Sequence, residues 1–213
     1  ENDNAKSSED DFDGRLSLFS MMSEPETKDE NIQEISTLEF SQKVKDKLYV
    51  FVKELSEDKV SFDLSCADES VCRASFAPES PIDKEIAEIL ENENIGKVMF
   101  NAKPFILYLL KKGIKMQNVI HDLSVASYIL DSTRKSDNIE DVCRYLTGRQ
   151  IPVNVQVLKP MAECAEEKLK ADGMEKLYKE VEIPLINVLA EMEKEGFRVD
   201  DTILAKQGAE IDA

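Results

Sequence analysis

The chain has 213 residues, with 44 acidic against 27 basic side chains and a net charge of −17. This length fits one domain with extensions or two small domains, and this charge disfavours a direct grip on duplex DNA, which proteins hold mainly with Lys and Arg. No apolar run approaches the ~20 residues of a membrane-spanning helix, and no signal segment opens the chain. We therefore expect no membrane partner.

The cysteines and the single histidine argue against two classes of site. Cys66, Cys72, Cys143 and Cys164 form no Cys-x-x-Cys pair, and His121 is the only histidine. Structural zinc sites use closely spaced ligand pairs, so none is expected and the cysteines should be buried, reduced thiols. One histidine also leaves little room for a His-dependent nucleophile.

The first part of the chain looks like a linker. Residues 1–37 are dominated by acidic residues with Ser and Asn between them. Such a segment buries too little apolar surface to offset its ordering entropy, so we predict a disordered acidic linker.

Three strands are predicted next. Residues 48–52 are apolar on both faces, as in a central buried strand. Residues 60–64 alternate between apolar and polar side chains, which predicts a strand with Ser61 and Asp63 on a more solvated face. Residues 71–76 are predicted to form a third strand. The short spacers between these segments favour an antiparallel meander.

Helices and strands then alternate. Asp83 can cap a helix carrying Ile86, Ile89 and Leu90, and a short buried strand follows at 95–100. A helix up to Gly113, a strand at 119–120 and helices at 123–130 and 139–146 come next. This order predicts an α/β fold of three layers with a mixed sheet; the extended stretch 151–157 has no clear place in it.

The last forty residues predict a helix, a helix end at a glycine and the beginning of a second helix. Leu177, Val181, Leu185, Val188 and Met192, which we call the terminal stripe, recur at helical spacing. Gly196 suits a helix end, and Asp200 or Asp201 can cap a new helix near Thr202. That helix is cut at once, which suggests a piece of a longer protein.

This segment also resembles a known family at fixed spacing. The matching positions resemble the junction between the 3′–5′ exonuclease-like domain and the thumb of bacterial DNA polymerase I, an A-family DNA polymerase: Glu182, Pro184, Leu185, Val188, Leu189, Ala190, Met192, Glu193, Gly196, Val199 and Asp200. The resemblance implies a ribonuclease-H-like exonuclease fold at 38–172 and the start of a truncated thumb at 173–213. It also implies a cytoplasmic protein of replication and repair.

The family's exonuclease holds two divalent metals with carboxylates, because such hard ions need anionic oxygen ligands. The resemblance expects an Asp-x-Glu after the first strand, where this chain has Val52 and Glu54. It expects an Asp in the Asn-x-Lys-Tyr-Asp stretch, where Asn101 and Lys103 match but Phe105 replaces the Asp.

The family's two remaining carboxylate motifs match this chain less well. Asp122 lies in a stretch resembling the family's Phe-Asp-x-x-Leu-x-x-Tyr-Leu-Leu, although a helix N-cap is its simpler role. The late Tyr-x-x-x-Asp is not found, and Glu163, Glu166 and Glu167 look like a solvated face.

We therefore predict a degenerate exonuclease domain, retained for structure, with no catalytic residue, no metal and no other cofactor; Mg²⁺ belongs to the polymerase domain of the parent. DNA would be bound through that parent, with little contribution from this acidic chain, which would pack on the polymerase domain as a monomer. Two alternatives stay open. One is an active nuclease using the displaced carboxylates Glu54, Asp63 and Asp122, and the other is an unrelated acidic interaction module.

Overall fold

The computed structural model describes residues 34–135, 137–198 and 201–211. A five-stranded sheet forms the centre of this part, with strands β1 (Lys47–Leu55), β2 (Val60–Ser65), β3 (Val71–Phe76), β4 (Gly96–Met99) and β5 (Val119–Asp122). The strand order is β3-β2-β1-β4-β5. The first three strands are antiparallel, while β4 and β5 run parallel to β1. The predicted meander and mixed sheet are confirmed.

Among the described residues up to 171, six α-helices accompany the sheet, and the sequence marks most of their ends. They are α1 (Thr37–Lys43), α2 (Lys84–Glu91), α3 (Ala102–Lys111), α4 (Leu123–Leu130), α5 (Ile139–Thr147) and α6 (Leu158–Ala171). Asp83 caps α2 by accepting a hydrogen bond from the Glu85 N–H at 3.1 Å. Gly148 ends α5 with a φ of 72°, in the left-handed region that glycine tolerates. A 3₁₀ turn, Val155–Val157, occupies the end of the stretch that the sequence could not place.

The packed part of the chain begins before residue 38. Glu34 forms a β-bridge with Val71, and Ser36 starts α1 with a reciprocal capping box to Glu39. Residues 34–37, assigned from the sequence to the linker, thus belong with the sheet. The rest of the predicted linker lies outside the described residues.

The expected wet face of β2 is buried. Ser61 and Asp63 are only 8% and 4% exposed. The Asp63 carboxylate is paired with the Lys53 ammonium at 2.6 Å and lies 3.8 Å from Arg73 Nε. Alternation alone missed this burial, because long cationic side chains from both neighbouring strands cover the carboxylate. All four cysteines are buried and free, as predicted.

The C-terminal part is helical with one irregularity. Helix α7 (Glu175–Leu177) runs into a π-helical segment (Tyr178–Glu182), then α8 (Ile183–Glu195) and, after Gly196, α9 (Asp201–Ile211). A π turn inserts an extra residue and rotates the face that follows. The side chains buried against the domain are accordingly Tyr178, Ile183, Ile186 and Ala190. In the described residues, no helix is both long and apolar enough to cross a membrane.

Candidate functional site

The candidate site is a cleft at the carboxyl end of β1, with a cavity volume of ≈ 370 Å³. Its walls come from β1, from the start of α3 and from the segment leading into α5. The lining residues are Phe51, Val52, Lys53, Leu55, Phe100, Asn101, Pro104, Phe105, Asp137, Asn138, Ile139 and Glu140. The resemblance compares four positions with the family's metal ligands, Val52, Glu54, Phe105 and Asp122. Two of them, Val52 and Phe105, therefore meet in one cleft.

Both of these positions are apolar in character and one is part of the core. Phe105 is 1% exposed, and its ring meets that of Phe62 edge-on with centroids 5.0 Å apart. Val52 is half-buried and pairs in register with Phe62 on the neighbouring strand. Neither side chain has an atom that can coordinate a cation or move a proton. This wall of the cleft is a packing surface.

Glu54 is held within its own hairpin. Its carboxylate lies 3.1 Å from the Lys59 ammonium and accepts a hydrogen bond from the Ser56 hydroxyl at 3.2 Å. The pairing of β1 with β2 is irregular between Val52 and Glu54. Glu54 does not line the cleft, so the structure does not bring it together with Phe105.

Asp122 ends β5 and joins the starts of two helices. Its carboxylate accepts hydrogen bonds from the N–H groups of Asn101 (3.1 Å) and Ala102 (2.7 Å) at α3. At α4 it accepts from the N–H groups of Ser124 (2.9 Å) and Val125 (3.4 Å). Burial raises the pKa of the Asp122 carboxyl, and these four donors oppose the rise. Asp122 thus caps α4, as the sequence suggested, and also the start of α3.

Tyr178 completes this arrangement, and no sequence motif had pointed to this role. Its hydroxyl accepts from the Asp122 N–H at 2.9 Å and donates to the Asp122 carbonyl at 3.0 Å, which satisfies the backbone of the edge strand. His121 Nδ1 lies 3.3 Å from the same hydroxyl, and the two rings stack. Burial lowers the pKa of His121 to about 4. The histidine is therefore neutral at neutral pH.

The other carboxylates named from the sequence do not converge on the cleft. Asp63 is paired with Lys53 and Arg73, and Glu166 is paired with Lys179 at 2.9 Å. Over residues 34–135, 137–198 and 201–211, no group of three or more His, Cys, Asp or Glu side chains is placed to hold a metal ion. The displaced-carboxylate set of Glu54, Asp63 and Asp122 is therefore not assembled.

Two carboxylates that the sequence did not single out do line the cleft. Asp137 and Glu140 flank Asn138, which caps α5 through the Asp141 N–H at 3.0 Å. The capping residue marks where this helix starts, but only the tertiary fold places that start beside β1.

Comparison with known proteins identifies the family that the chain is similar to. A model described as the ribonuclease H-like domain of DNA polymerase I matches residues 55–158. DNA polymerase I of Caldicellulosiruptor bescii is 32% identical over 136 aligned residues, in an alignment that covers 60% of this chain and 16% of the relative. DNA polymerase I of Geobacillus stearothermophilus is 27% identical over 165 aligned residues, in an alignment that covers 65% of this chain and 19% of the relative. The chain thus spans less than a fifth of either relative.

Solved structures agree on the fold. The polymerase domain of M. smegmatis Pol1, in complex with a DNA primer-template and dNTP, aligns with a TM-score of 0.69 at 21% identity over 82% of this chain and 33% of that one. Brucella melitensis NrnC bound to pGG aligns with a TM-score of 0.62 at 13% identity over 80% and 96%. The ribonuclease-H-like fold and the predicted resemblance are confirmed. The alternative hypothesis of an unrelated interaction module is wrong.

Proposed function

Because the chain carries a ribonuclease H-like domain of the DNA polymerase I family, we propose that this domain does not cleave nucleic acid and serves as a structural neighbour of a polymerase. One observation carries the proposal: Phe105, at the position of an expected metal ligand, is 1% exposed and packed on Phe62. A core aromatic ring cannot leave its place for a cation without opening a cavity.

The two-metal chemistry of the family does not fit these residues. Two cations near a scissile phosphate need several carboxylate oxygens facing one another. Here Val52 supplies none, Glu54 is paired with Lys59, and the Asp122 carboxylate already accepts four backbone hydrogen bonds. We therefore infer no metal-dependent step in this cleft.

The structural role is supported by the terminal stripe. Leu177, Val181, Leu185, Val188 and Met192 are 42%, 51%, 38%, 49% and 62% exposed. The other side of α8 packs on the domain through the buried Ile183, Ile186 and Ala190. Surface ion pairs of Glu193 with Lys103 (2.8 Å) and of Glu191 with Lys115 (2.9 Å) accompany this packing. An exposed apolar strip of this length on a helix whose other side is buried is typical of an interface. We infer that it packs on the polymerase portion that the much longer relatives contain.

The charge of the chain bears on how the parent enzyme would bind DNA. The chain as a whole has a net charge of −17, so on average it repels a duplex. The duplex held by a polymerase would therefore be gripped by residues outside this chain, and template-directed synthesis with Mg²⁺ would take place there. The domain itself is inferred to be a monomer within that enzyme.

Digestion of a labelled single strand with Mg²⁺ or Mn²⁺ tests the loss of cleavage. We expect no shortening of the strand beyond that seen with EDTA. The second candidate, a nuclease rebuilt on other carboxylates, is favoured by Asp137 and Glu140 in the cleft. Cleavage that is lost in Glu140→Gln or Asp137→Asn would establish that candidate and refute ours.

A matched pair of variants tests the structural role. Leu185 is on the terminal stripe, and its neighbour Ile186 is 5% exposed on the buried side of α8. In the isolated chain, Leu185→Ser should change the unfolding free energy little, whereas Ile186→Ala should cost about 2–5 kcal/mol. In the whole polymerase, by contrast, Leu185→Ser should lower the melting temperature, because the side chain is buried in the interface there. An unchanged melting temperature of the whole polymerase would contradict the interface.

A further inference from the structure

A second cavity, with a volume of ≈ 600 Å³, lies between the edge strand β5 and helix α8. Its buried lining residues are Val119, His121 and Ile183, and the exposed Lys47 and Pro184 stand at its mouth. We propose that this cavity, named here the β5–α8 cavity, binds a planar heterocycle that has an N–H donor and carries an anionic group. Nucleoside monophosphates and heterocyclic carboxylates share this chemistry. The proposal does not depend on whether the domain cleaves, because none of these residues lines the candidate site.

The hydrogen bond between His121 and Tyr178 fixes the tautomer of the imidazole. The Tyr178 hydroxyl has a single hydrogen, which it donates to the Asp122 carbonyl at 3.0 Å. His121 Nδ1, 3.3 Å from that hydroxyl, must therefore be the donor of the bond between the two side chains. The other ring nitrogen, Nε2, is consequently an unprotonated acceptor.

This acceptor faces the β5–α8 cavity. Across residues 34–135, 137–198 and 201–211, no group hydrogen-bonds to His121 Nε2, and no side-chain nitrogen or oxygen that is sealed from solvent lacks a partner. Because the ring is only 5% exposed and lines the cavity, Nε2 is open to that space. A polar atom in such a place gains free energy from a hydrogen bond, so the ligand should bring an N–H donor.

The charges around the β5–α8 cavity favour an anionic ligand. Lys179 is already held by two carboxylates, those of Glu166 at 2.9 Å and Glu175 at 2.8 Å. Lys47 lines the same cavity and, within the part of the chain that the structure describes, has no ion-pair partner. A phosphate or carboxylate group on the ligand would supply that partner through a charge-assisted hydrogen bond.

The remaining lining residues suit a flat ring with polar edges. Ile120 and Ile183 offer apolar contact to the faces of a ring, and Asn118 and Asn187 carry side-chain amides. An amide has both donors and an acceptor, as the edge of a heterocycle has, so the two can pair. The cavity volume lies within the ~300–1,000 Å³ range of sites that take small molecules.

An NMR titration of the 213-residue chain at neutral pH in EDTA tests the proposal, with thymidine monophosphate and orotate as separate probes. Since the chain has one histidine, the imidazole Cε1–Hε1 signal reports on this cavity directly. At least one probe should give a saturable shift at millimolar concentration, and which of them does so identifies the source of the ligand. Thymidine, which lacks the anionic group, and inorganic phosphate, which lacks the ring, should each bind at least about tenfold more weakly.

A matched pair of lysine variants localises the binding. Lys47→Met should weaken it about tenfold or more, whereas Lys45→Met, which removes an exposed lysine outside the cavity, should leave it unchanged. Asn187→Ala should weaken binding from the α8 side, and the melting temperature establishes that each variant folds.

Four outcomes would overturn the proposal. They are the absence of a saturable shift with both probes, inorganic phosphate or thymidine binding as tightly as the probe, an equal loss in both lysine variants, and unchanged binding in the folded Lys47→Met variant. The last of these outcomes does not depend on Asn187→Ala, because Lys47 is exposed and its replacement leaves the core intact.

Discussion

Acidification should destabilise the domain through its only histidine. His121 is 5% exposed and stacks on Tyr178. Burial lowers its pKa from an ordinary 6.5 to about 4; among nearby charges, Glu166 raises that pKa whereas Lys179 and Lys47 lower it. Protonation therefore charges a ring that the fold keeps neutral, beside a hydroxyl already donating to the Asp122 carbonyl.

The sign and the size follow from linkage. Between the two pKa values the unfolded chain binds the proton and the folded chain does not, so stability falls as pH falls through this window. The difference of about 2.5 in pKa, at about 1.4 kcal/mol for each pKa unit, corresponds to about 3 kcal/mol. This loss of unfolding free energy should be complete near pH 4. Below that pH, protonation of carboxylate groups begins to lower the unfolding free energy further.

Two measurements check this expectation. Since the chain has one histidine, the imidazole Cε1–Hε1 signal in an NMR titration reports His121 without ambiguity. Urea unfolding at a series of pH values gives the free energy for the original chain and for His121→Phe, which keeps an aromatic ring but cannot be protonated. The difference between the two should change by about 3 kcal/mol across the window.

The control is the same titration in urea, where the pKa should return to about 6.5. A pKa near 6.5 in the folded domain would refute the reasoning. So would a free-energy difference from His121→Phe that does not change with pH, since that would mean that the buried ring does not resist protonation.

Three further outcomes follow from single side chains. Phe105→Ala should cost about 3–5 kcal/mol of unfolding free energy, because it empties a fully packed site; a small loss in urea unfolding would mean that the ring is dispensable. Tyr178→Phe should cost about 1–3 kcal/mol by leaving an edge-strand N–H and C=O unpaired, and amide exchange of Asp122 should quicken if this is right. Burial lowers the pKa of Lys97 to about 8, so stability relative to Lys97→Met should rise by about 3 kcal/mol as pH increases from about 8 to 10.5; no change over this range would count against a neutral buried lysine.

The order of elements could be predicted because its signals are local. Alternation, apolar runs and caps such as Asp83 depend on neighbouring residues, and they placed the strands and most of the helices close to their observed limits. The buried face of α8 could not be predicted in this way. The π turn at Tyr178–Glu182 rotates it, so the terminal stripe, which a regular helix would turn inward, is exposed.

The candidate site was predicted in part. Motif positions identified Val52 and Phe105, and the cleft contains both. The roles of Tyr178, Asp137 and Glu140 could not be found from the sequence, because they depend on chain segments that are distant in sequence meeting at β1 and β5. The burial of Asp63 was missed for the same reason, since Lys53 and Arg73 reach it from two other strands.

The most direct test of the central claim is a Mn²⁺ titration of the chain, followed by the electron paramagnetic resonance signal of the free ion. We predict that the free-ion signal shows no saturable site at submillimolar metal, and that Phe105→Leu, which keeps the core apolar, leaves the curve unchanged. A saturable site that Asp122→Asn or Glu54→Gln removes would contradict the account, because it would mean that the cleft still assembles a metal centre from these carboxylates.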